Sequence, residues 1–383
     1  MNKKVGLLLP RSVIYPSISF DLMGGLRCCL DDAGINDIEI KTESIGLATD
    51  DKLVYSACEK LLFDGASIVA GYINPTTAEK LEPLFASAHA LFISMDAGYL
   101  FPAKLKKLPH IFYLSLNGAL CIRTVIKTAI ENGSKNIAFA GSYYEAGYRS
   151  PFACHRAVED GGGQVTYNLI TPLKRSEFTL QPLVDHLKSS PEDGVFASFC
   201  GDMLQDFCTA AAAGNVFTDN VVYGSSFVGE EQWLAQSPYP GIDICVCVPW
   251  ASRLDNTANV HFMAQLKQNN QKINIFSLLG WECAEVISEI LTCADINEAI
   301  HKLEGYTFCS PRGTVILDAD THQCVVPVYE AKVIKDNNTG NCLLQPIGES
   351  PYWEEQRILL EKDINAITGP MTTWYNAYAC IDS

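Results

Sequence analysis

The chain places hydroxyl, amide and carboxyl side chains directly after apolar segments of strand length. Residues 68–77 read Ile-Val-Ala-Gly-Tyr-Ile-Asn-Pro-Thr-Thr, a pattern in which an apolar strand enters a turn and the turn opens a helix. Asn74 is a favourable N-cap, and Pro75 fits the first helical position, where a missing N–H costs nothing. We therefore expect Thr76 and Thr77 to keep their backbone N–H groups free at the positive end of the helix dipole. Such a helix start can receive a carboxylate or another electron-rich group, although a plainly capped helix is the simpler interpretation.

Polar and aromatic residues also follow other predicted strands. The further candidate binding residues are Tyr15 and Ser17 after the first strand, Asp96 and Ala97 after the fourth, Tyr144, Asp202 and Ser226 after later strands, and Trp281 in a helical turn. Ligands of parallel α/β sheets bind beyond the carboxyl ends of the strands, so these residues are expected to form a recognition surface. Asp96 fits a turn-stabilising role as well as a ligand contact. Trp281 fits the core as well as a ligand contact, and Gly280 before it, at an apparent helix entry, favours the ligand.

No catalytic motif accompanies these residues. The sequence contains no GxSxG elbow, Walker loop, GxGxxG or HExxH, and its 7 histidines and 15 cysteines show no metal-ligand spacing. We therefore expect no catalytic residues, no metal, no cofactor and no enzymatic activity. An enzyme remains a third hypothesis, motivated only by the strand-end carboxylates Asp96, Asp202 and Glu282.

Composition excludes several classes of protein. With 383 residues, of which 48% are hydrophobic and 19% charged, the chain is long enough for two domains and is not disordered. A net charge of -16 argues against nucleic acid and anionic membranes as partners. No window is long and apolar enough to span a bilayer, so we expect no membrane insertion.

The N-terminus and the cysteines bear on the compartment. The apolar run Val5–Leu9 ends at Pro10, which is too short for the core of a signal peptide. Fifteen cysteines without a disulfide-type pattern suit a reducing compartment. We therefore predict a cytoplasmic location, and a periplasmic one is the alternative if a leader has been removed.

Predicted strands and helices alternate along most of the chain. The alternation runs from Val5 to Tyr113 and starts again at Asn117, which predicts parallel sheets covered by helices on both faces. No low-complexity linker separates the two runs. We therefore expect two lobes packed around a cleft.

Four segments of the chain carry a family resemblance. They are Val5–Pro10, Gly71–Thr77 with Ile93 and Ser94, Gly141–Gly147, and Phe308–Val315 with Asp318, Thr321 and His322. In this order and spacing, over residues from about 4 to 347, they resemble the type I periplasmic binding proteins, in the branch that binds branched-chain amino acids, amides and urea. The last segment is similar to the family's Ser/Gly-Pro-Arg-Gly-Thr-Val sequence.

The resemblance implies an architecture. It predicts two doubly wound parallel-sheet lobes of the α/β class, joined by a hinge with three chain crossings. The predicted boundaries are 1–117 and 250–327 for lobe 1, 118–249 and 328–347 for lobe 2, and 348–383 for a C-terminal extension. We expect the extension to pack onto a lobe, with a protein contact through its aromatic residues as the alternative.

The resemblance also implies how the first lobe recognises its ligand. The family's hydroxyl at the helix start falls on Pro75 or Thr76, and its hydroxyl-rich loop falls on Met95–Gly98. Pro75 offers no N–H and Gly98 replaces a usual hydroxyl, which argues against a standard branched-chain amino acid. Asp96 instead suits an ammonium, an amide or another donor-rich ligand.

In the second lobe the resemblance assigns two residues. Tyr144 falls on an aromatic residue that lines the cleft, and Ser226 lies near a position that is often acidic. Trp281, within 250–327, matches the aromatic of the family's Gly-Tyr-Asp/Glu segment. The predicted function is that of a solute-binding protein that captures a small amino acid, amide or urea-like ligand by hinge closure and serves an ABC permease. The alternative is a cytoplasmic ligand sensor of the same fold that regulates a protein partner.

Overall fold

A computed structural model describes residues 4–102, 104–146, 150–172, 174–214 and 216–367. The chain divides into two compact units. Unit 1 comprises the described residues up to Leu116 and Leu254–Val326, and unit 2 comprises Asn117–Arg253 and the segment from Pro327 to Ala366. The expected boundaries at 117, 250 and 327 differ from these by at most four residues. Residues 348–366, expected as a separate extension, belong to unit 2.

Strand and helix alternate in both units. Up to Leu116 the elements are β1 (Lys4–Leu9), α1 (Ile18–Asp32), β2 (Glu39–Ser44), α2 (Asp51–Phe63), β3 (Ile68–Tyr72), α3 (Pro75–Ala88), β4 (Leu91–Asp96) and β5 (Ile111–Ser115). From Asn117 they are α4 (Gly118–Glu131), β6 (Asn136–Gly141), α5 (Tyr143–Ala146), α6 (Ser150–Asp160), β7 (Gln164–Ile170), a 3-10 turn (Arg175–Glu177), α7 (Gln181–Ser189), β8 (Gly194–Ser198), α8 (Gly201–Gly214), β9 (Val222–Gly224), α9 (Glu231–Leu234) and β10 (Ile244–Val248).

The later segments complete each unit. Unit 1 gains α10 (Thr257–Gln268), α11 (Ile275–Leu291), α12 (Ile296–Leu303), β11 (Thr307–Ser310), β12 (Gly313–Leu317) and β13 (Cys324–Val325). Unit 2 gains β14 (Tyr329–Lys335), β15 (Cys342–Glu349) and α13 (Trp353–Ala366).

The main sheet of unit 1 is entirely parallel. Its strand order is β2-β1-β3-β4-β5, and β3, β4 and β5 are buried along their whole length. The order reverses between β1 and β3, and such a switch point opens a crevice beyond the carboxyl ends of the strands. The loops after β1, β3 and β4 therefore meet at one edge of this sheet. The strands β11, β12 and β13 form a small separate sheet.

Helices α1 and α11 pack closely because each contributes a glycine to the contact. A Cβ atom on Gly25 would lie 1.9 Å from the carbonyl oxygen of Ser277, and one on Gly280 would lie 2.1 Å from the carbonyl oxygen of Leu22. Gly280 is therefore a packing residue inside α11, and the interpretation of Gly280 as a helix entry is wrong. The helix begins five residues earlier, where Asn274 and Ser277 form a capping box.

The sheet of unit 2 has seven strands in the order β15-β14-β10-β9-β8-β6-β7. The strands from β10 to β7 are parallel, whereas β14 and β15 form an antiparallel edge. Its switch point lies between β6 and β8. The predicted α/β class with two parallel sheets is confirmed, and the antiparallel edge is an addition to it.

Helix α13 is fixed to unit 2 by buried charges. The fully buried Arg123 of α4 donates from Nη1 to Oδ2 of Asp363 at 2.8 Å and also pairs with Asp160. Arg156 of α6 reaches Oδ1 of the same Asp363 at 3.1 Å. The expected packing of the extension thus holds for α13, and its aromatic residues after position 367 lie outside the described residues.

Most cysteines of the described segments lie in the cores. Thirteen of them are free thiols, of which Cys309 is exposed and Cys245 half-buried. They act there as small apolar side chains, as the sequence predicts. None of the helices in the described ranges is both long and apolar enough to cross a bilayer.

Candidate functional site

The helix start after β3 is closed by its own cap. The side chain of Asn74 accepts the backbone N–H of Thr76 at 2.9 Å, and the carbonyl of Asn74 accepts the N–H of Thr77 at 2.9 Å. The predicted N-cap is thus confirmed. The expectation of two free N–H groups is wrong, because the cap that starts the helix satisfies these same donors.

The hydroxyls of Thr76 and Thr77 have different surroundings. Thr77 is buried and its hydroxyl donates to Oδ1 of Asp51 at 2.6 Å, which ties α3 to α2. Thr76 is half-buried, and its hydroxyl has no hydrogen-bond partner among the described residues. Thr76 is therefore the residue of this turn whose hydroxyl is available to a ligand.

Asp96 is the last residue of β4 and is only 4% exposed. Its Oδ1 accepts the Ser115 hydroxyl at 2.8 Å and the Gly98 backbone N–H at 2.5 Å. Its Oδ2 has no hydrogen-bond partner within the described residues. Burial raises the pKa of Asp96 to about 6, against the opposing effects of these two bonds and of the Arg312 charge. Asp96 thus stabilises its turn through the Gly98 N–H and still has one carboxylate oxygen that could accept a hydrogen bond from a ligand.

A buried ion pair lies behind Asp96. Arg312 and Glu282 are both fully buried, and Nε and Nη2 of the guanidinium donate to the two carboxylate oxygens at 2.6 and 2.7 Å. Nη1 of Arg312 donates to the carbonyl of Ser115 at 2.8 Å, and Ser310 donates its hydroxyl to Glu282 at 2.5 Å. Sequence reasoning treated Arg312 only as part of a family segment. The Pro-Arg-Gly sequence is the signal that pointed to it.

Trp281 has a packing role in this structure. It lies inside α11, is 4% exposed, and meets the ring of Phe262 edge-on at 5.4 Å between centroids. The ring faces α10, and the ligand contact of Trp281 stays a prediction. The adjacent Glu282 belongs to the polar network instead.

The loop after β1 is anchored to the start of α11. Tyr15 is buried, and its ring meets that of Phe276 edge-on at 4.9 Å. The Ser17 hydroxyl donates to Asp21 at 2.8 Å and accepts from Nζ of Lys272 at 2.8 Å. These contacts give Tyr15 and Ser17 structural roles beside the switch point.

The unit 1 candidates share one edge of the sheet. Strands β1, β3 and β4 are neighbours, and their following loops carry Tyr15 with Ser17, Thr76, and Asp96 with the half-buried Ala97. Among these, Asp96 and Thr76 each have a polar atom without a hydrogen-bond partner in the described residues. These two side chains can therefore hydrogen-bond a ligand at this edge.

The unit 2 candidates also follow neighbouring strands, namely β6, β8 and β9. Asp202 in the first turn of α8 pairs with Nη1 of Arg175 at 3.1 Å. Ser226 is half-buried, and its carbonyl accepts the N–H of Gly229 at 3.2 Å. The side chain of Tyr144 lies outside the described residues.

Unit 2 also buries an acid that sequence reasoning missed. Glu145 is fully buried and hydrogen-bonded to the Ser142 hydroxyl. Burial raises the pKa of Glu145 to about 8, opposed by backbone N–H groups that include that of Cys200. The buried hydroxyls of Ser198 and Ser225 have no hydrogen-bond partner in the described part of the chain. The only signal in the sequence was the placement of these residues at strand ends.

Neither edge resembles a metal centre. In the ranges that the structure describes, no group of three or more His, Cys, Asp or Glu side chains is arranged to hold a metal ion. The polar groups described above are suited to hydrogen bonding and charge recognition.

Comparison with known proteins gives consistent matches. The family model for periplasmic binding proteins matches residues 3–338. The Leu/Ile/Val-binding protein homolog 6 of Brucella melitensis biotype 1 is 20% identical over 345 residues, which are 87% of this chain and 87% of that protein. The protein of the same name from Brucella suis biovar 1 is 20% identical over 350 residues, with the same shares covered.

Solved structures share the fold. A solute-binding protein of an ABC transporter from Rhodopseudomonas palustris BisB5, in complex with 3,4-dihydroxybenzoic acid, has a TM-score of 0.73 at 20% identity and covers 91% of this chain and 98% of its own. An ABC transporter substrate-binding protein from Sphaerobacter thermophilus has a TM-score of 0.77 at 17% identity, with 91% and 98% covered. A leucine-, isoleucine-, valine-, threonine- and alanine-binding protein from Brucella ovis, in a closed conformation, has a TM-score of 0.73 at 15% identity, with 90% and 94% covered.

These matches bear on the sequence predictions. The resemblance to type I periplasmic binding proteins is confirmed. The predicted cytoplasmic location finds no support in them, whereas the periplasmic alternative fits the family. Because the family model covers most of its length, the chain belongs to the periplasmic binding protein family, and its function is the binding of a small solute.

Proposed function

We propose that the chain recognises a small polar organic solute at the carboxyl-terminal edge of the unit 1 sheet, with Asp96 as the principal recognition group. The observation that carries this proposal is the asymmetry of the carboxylate. Oδ1 is held by two donors, and Oδ2 has no hydrogen-bond partner among the described residues. A buried carboxylate gains much from one more donor, because water does not screen the interaction.

The class of solute follows from charge. With a pKa of about 6, Asp96 is mostly ionised at neutral pH. An ammonium or amide N–H would satisfy Oδ2, and the Thr76 hydroxyl would take a second polar atom. An amino acid, a primary amide or a urea-like molecule therefore fits this edge, whereas a carboxylate placed at Asp96 would be repelled.

The relatives bind both kinds of solute. The Rhodopseudomonas palustris protein holds an aromatic acid, and the Brucella ovis protein is named for five amino acids. Asp96 favours the second kind for this chain. The loops after β6, β8 and β9, with Tyr144, Asp202 and Ser226, are proposed as the ligand contacts of unit 2.

We further propose that the chain binds its solute without chemical turnover and delivers it to an ABC permease. Capture between two lobes by hinge closure remains a prediction from the family resemblance. A sensor role in the cytoplasm is the alternative, and fractionation of native cells separates the two. Recovery from the periplasm removes the sensor role, and recovery from the cytoplasm removes the transport role.

A thermal-shift panel tests the recognition site. The panel contains L-leucine, L-glutamine, acetamide, urea, benzoate and 4-hydroxybenzoate, each added to wild type, to Asp96→Asn and to Thr77→Val. We expect an ammonium- or amide-bearing solute to raise the melting temperature of wild type and Thr77→Val, but much less that of Asp96→Asn.

The control variant is matched in position. Thr77 lies beside Thr76, but its hydroxyl is used by Asp51, so its loss should leave the solute effect intact. If no solute stabilises wild type, the capture proposal fails. If Asp96→Asn responds as strongly as wild type, Asp96 is not the recognition group.

A further inference from the structure

We propose that Arg312 is a positioning residue for solute recognition, which fixes the Asp96 carboxylate through Ser115 and supplies its counter-charge. This inference rests on the proposed role of Asp96. Arg312 touches no ligand in this account. It acts through one intervening residue and through its electric field.

The first step is the rigidity of the guanidinium. Three of its nitrogens are held, Nε and Nη2 by Glu282 and Nη1 by the carbonyl of Ser115, at 2.6 to 2.8 Å. The Ser310 hydroxyl fixes Glu282 from the other side at 2.5 Å. A bidentate pair of this kind has one preferred geometry, and full burial removes water as a competitor.

The second step is Ser115, which connects the ion pair to Asp96. Its carbonyl accepts from Arg312, its N–H donates to Sγ of Cys324 at 3.1 Å, and its hydroxyl donates to Oδ1 of Asp96 at 2.8 Å. The carbonyl and N–H bonds fix the backbone of Ser115. The direction of its hydroxyl, and with it the orientation of Asp96, is therefore set from behind.

The third step is the charge balance around Asp96. Arg312 favours the ionised carboxylate through its positive charge. The charge of Asp96 acts in turn on Tyr72, Tyr113 and Cys324, and burial raises the pKa of each of them. These three groups stay neutral near pH 7. Among the described residues, Arg312 is thus the cation that counters the burial of Asp96.

A second buried arginine provides the control. Arg123 is also fully buried, but it lies in unit 2 and pairs with the carboxylates of Asp160 and Asp363. Its replacement removes a comparable ion pair without touching the Asp96 network. If loss of a buried ion pair disturbed Asp96 only through a general loss of stability, both variants would change its titration. If Arg312 positions Asp96, only the Arg312 variant should change it.

The test is a carboxyl-carbon NMR titration of the ligand-free full chain labelled with ¹³C at the aspartate carboxyls. The spectrum of Asp96→Asn identifies the Asp96 signal. We expect a wild-type midpoint near 6, as burial of Asp96 sets its pKa at about 6. Arg312→Met should raise the midpoint, Arg312→Lys should raise it less, and Arg123→Met should leave it unchanged.

If Arg312→Met does not fold, Arg312→Lys carries the test of Arg312, and Ser115→Ala tests the connecting hydroxyl. This variant removes the hydroxyl bond but not the carbonyl that Arg312 holds, and it should also raise the midpoint. An unchanged midpoint in the Arg312 variants overturns the inference, as does an equal shift in Arg123→Met. The titration contains no solute. If Asp96 behaves as expected but no panel solute binds, only the proposed function fails.

Discussion

Asp96 in unit 1 and Glu145 in unit 2 are both buried acids beside the ends of parallel strands, and they are surrounded by different groups. Asp96 has the hydroxyl of Ser115 and the positive charge of Arg312 near it, and its pKa rises only to about 6 with burial. Glu145 has backbone N–H groups and the negative charge of Asp202 near it, and burial raises its pKa to about 8.

The difference decides the charge of each edge. Near pH 7, Asp96 is mostly ionised and Glu145 mostly protonated. The unit 1 edge therefore attracts a cationic or donor-rich group, whereas Glu145 contributes a neutral acid to unit 2. At Asp96 the hydrogen bonds from Ser115 and Gly98, and after them the charge of Arg312, oppose the effect of burial. At Glu145 backbone N–H groups oppose it, and the charge of Asp202 adds to it.

The largest effect is expected from breaking the ion pair behind Asp96. Arg312→Met should lower the free energy of unfolding by about 3 to 5 kcal/mol, because it leaves Glu282 buried and unpaired. Urea unfolding near neutral pH measures this. Arg123→Met should cost less, because its partner Asp160 is 29% exposed and can be hydrated. If the free energy of unfolding falls by less than about 1 kcal/mol in Arg312→Met, Glu282 is not left as an uncompensated buried charge, and the prediction is wrong.

The next effect concerns Glu145 and high pH. Its pKa in the native state lies above the ordinary value of 4.5, so its contribution to stability is present below about pH 4.5 and is lost as the pH rises through about 8. The free energy of unfolding of Glu145→Gln, relative to that of wild type, should therefore rise by up to about 4 kcal/mol between about pH 5 and about pH 9. Urea unfolding at both pH values measures this gain.

Glu230 is the control for this pH dependence, because burial raises its pKa to about 7 and it titrates in the same range. Glu230→Gln should gain less than Glu145→Gln. An equal free energy of unfolding for wild type and Glu145→Gln across this range would contradict the assigned burial of Glu145.

Asp96→Asn should produce a smaller gain at lower pH. The native pKa of about 6 lies above the ordinary 3.8, so wild type loses stability as the pH rises between these values. The asparagine oxygen can still accept from Ser115 and Gly98 but carries no charge. We expect a relative gain of up to about 3 kcal/mol from about pH 4 to about pH 8, measured by urea unfolding. The same difference in the free energy of unfolding between variant and wild type at both pH values would contradict this.

The smallest effects separate the two threonines of α3. Thr77→Val should lose about 1 to 2 kcal/mol of stability, because it leaves Asp51 without its buried hydroxyl donor. Thr76→Val should change stability by less than about 0.5 kcal/mol but weaken solute binding a few-fold. Melting temperatures without solute measure the change in stability, and the solute-induced shift measures the change in binding. If Thr77→Val weakens solute binding and Thr76→Val does not, the ligand contact lies at Thr77.

Local patterns in the sequence predicted the frame of this site. The alternation of apolar and helical segments predicted the sheets, and Asn74 with Pro75 predicted the start of α3. The same cap made the expected anion site wrong, because Asn74 takes up the N–H groups that were to receive a ligand. Gly280 was misread as a helix entry, because the capping box at Asn274 starts α11.

The polar network could not be read from sequence, because its members are brought together only by the fold. Glu282 and Arg312 are 30 residues apart, and Arg312 and Ser115 are 197 apart. No local periodicity links such positions. The predicted ligand contacts of unit 2 stay predictions. They rest only on the tendency of ligands to bind beyond the carboxyl ends of parallel strands.

Calorimetric titration of the most stabilising panel solute into wild type and Asp96→Asn, at about pH 5 and about pH 8, tests the central role of Asp96 most directly. For an ammonium-bearing solute, which stays protonated over this range, wild type should bind about tenfold more tightly at the higher pH, because Asp96 becomes ionised. Asp96→Asn should bind weakly at both values, without this pH dependence. Equal affinity and equal pH dependence in the two proteins would contradict the assignment of Asp96 as the recognition group.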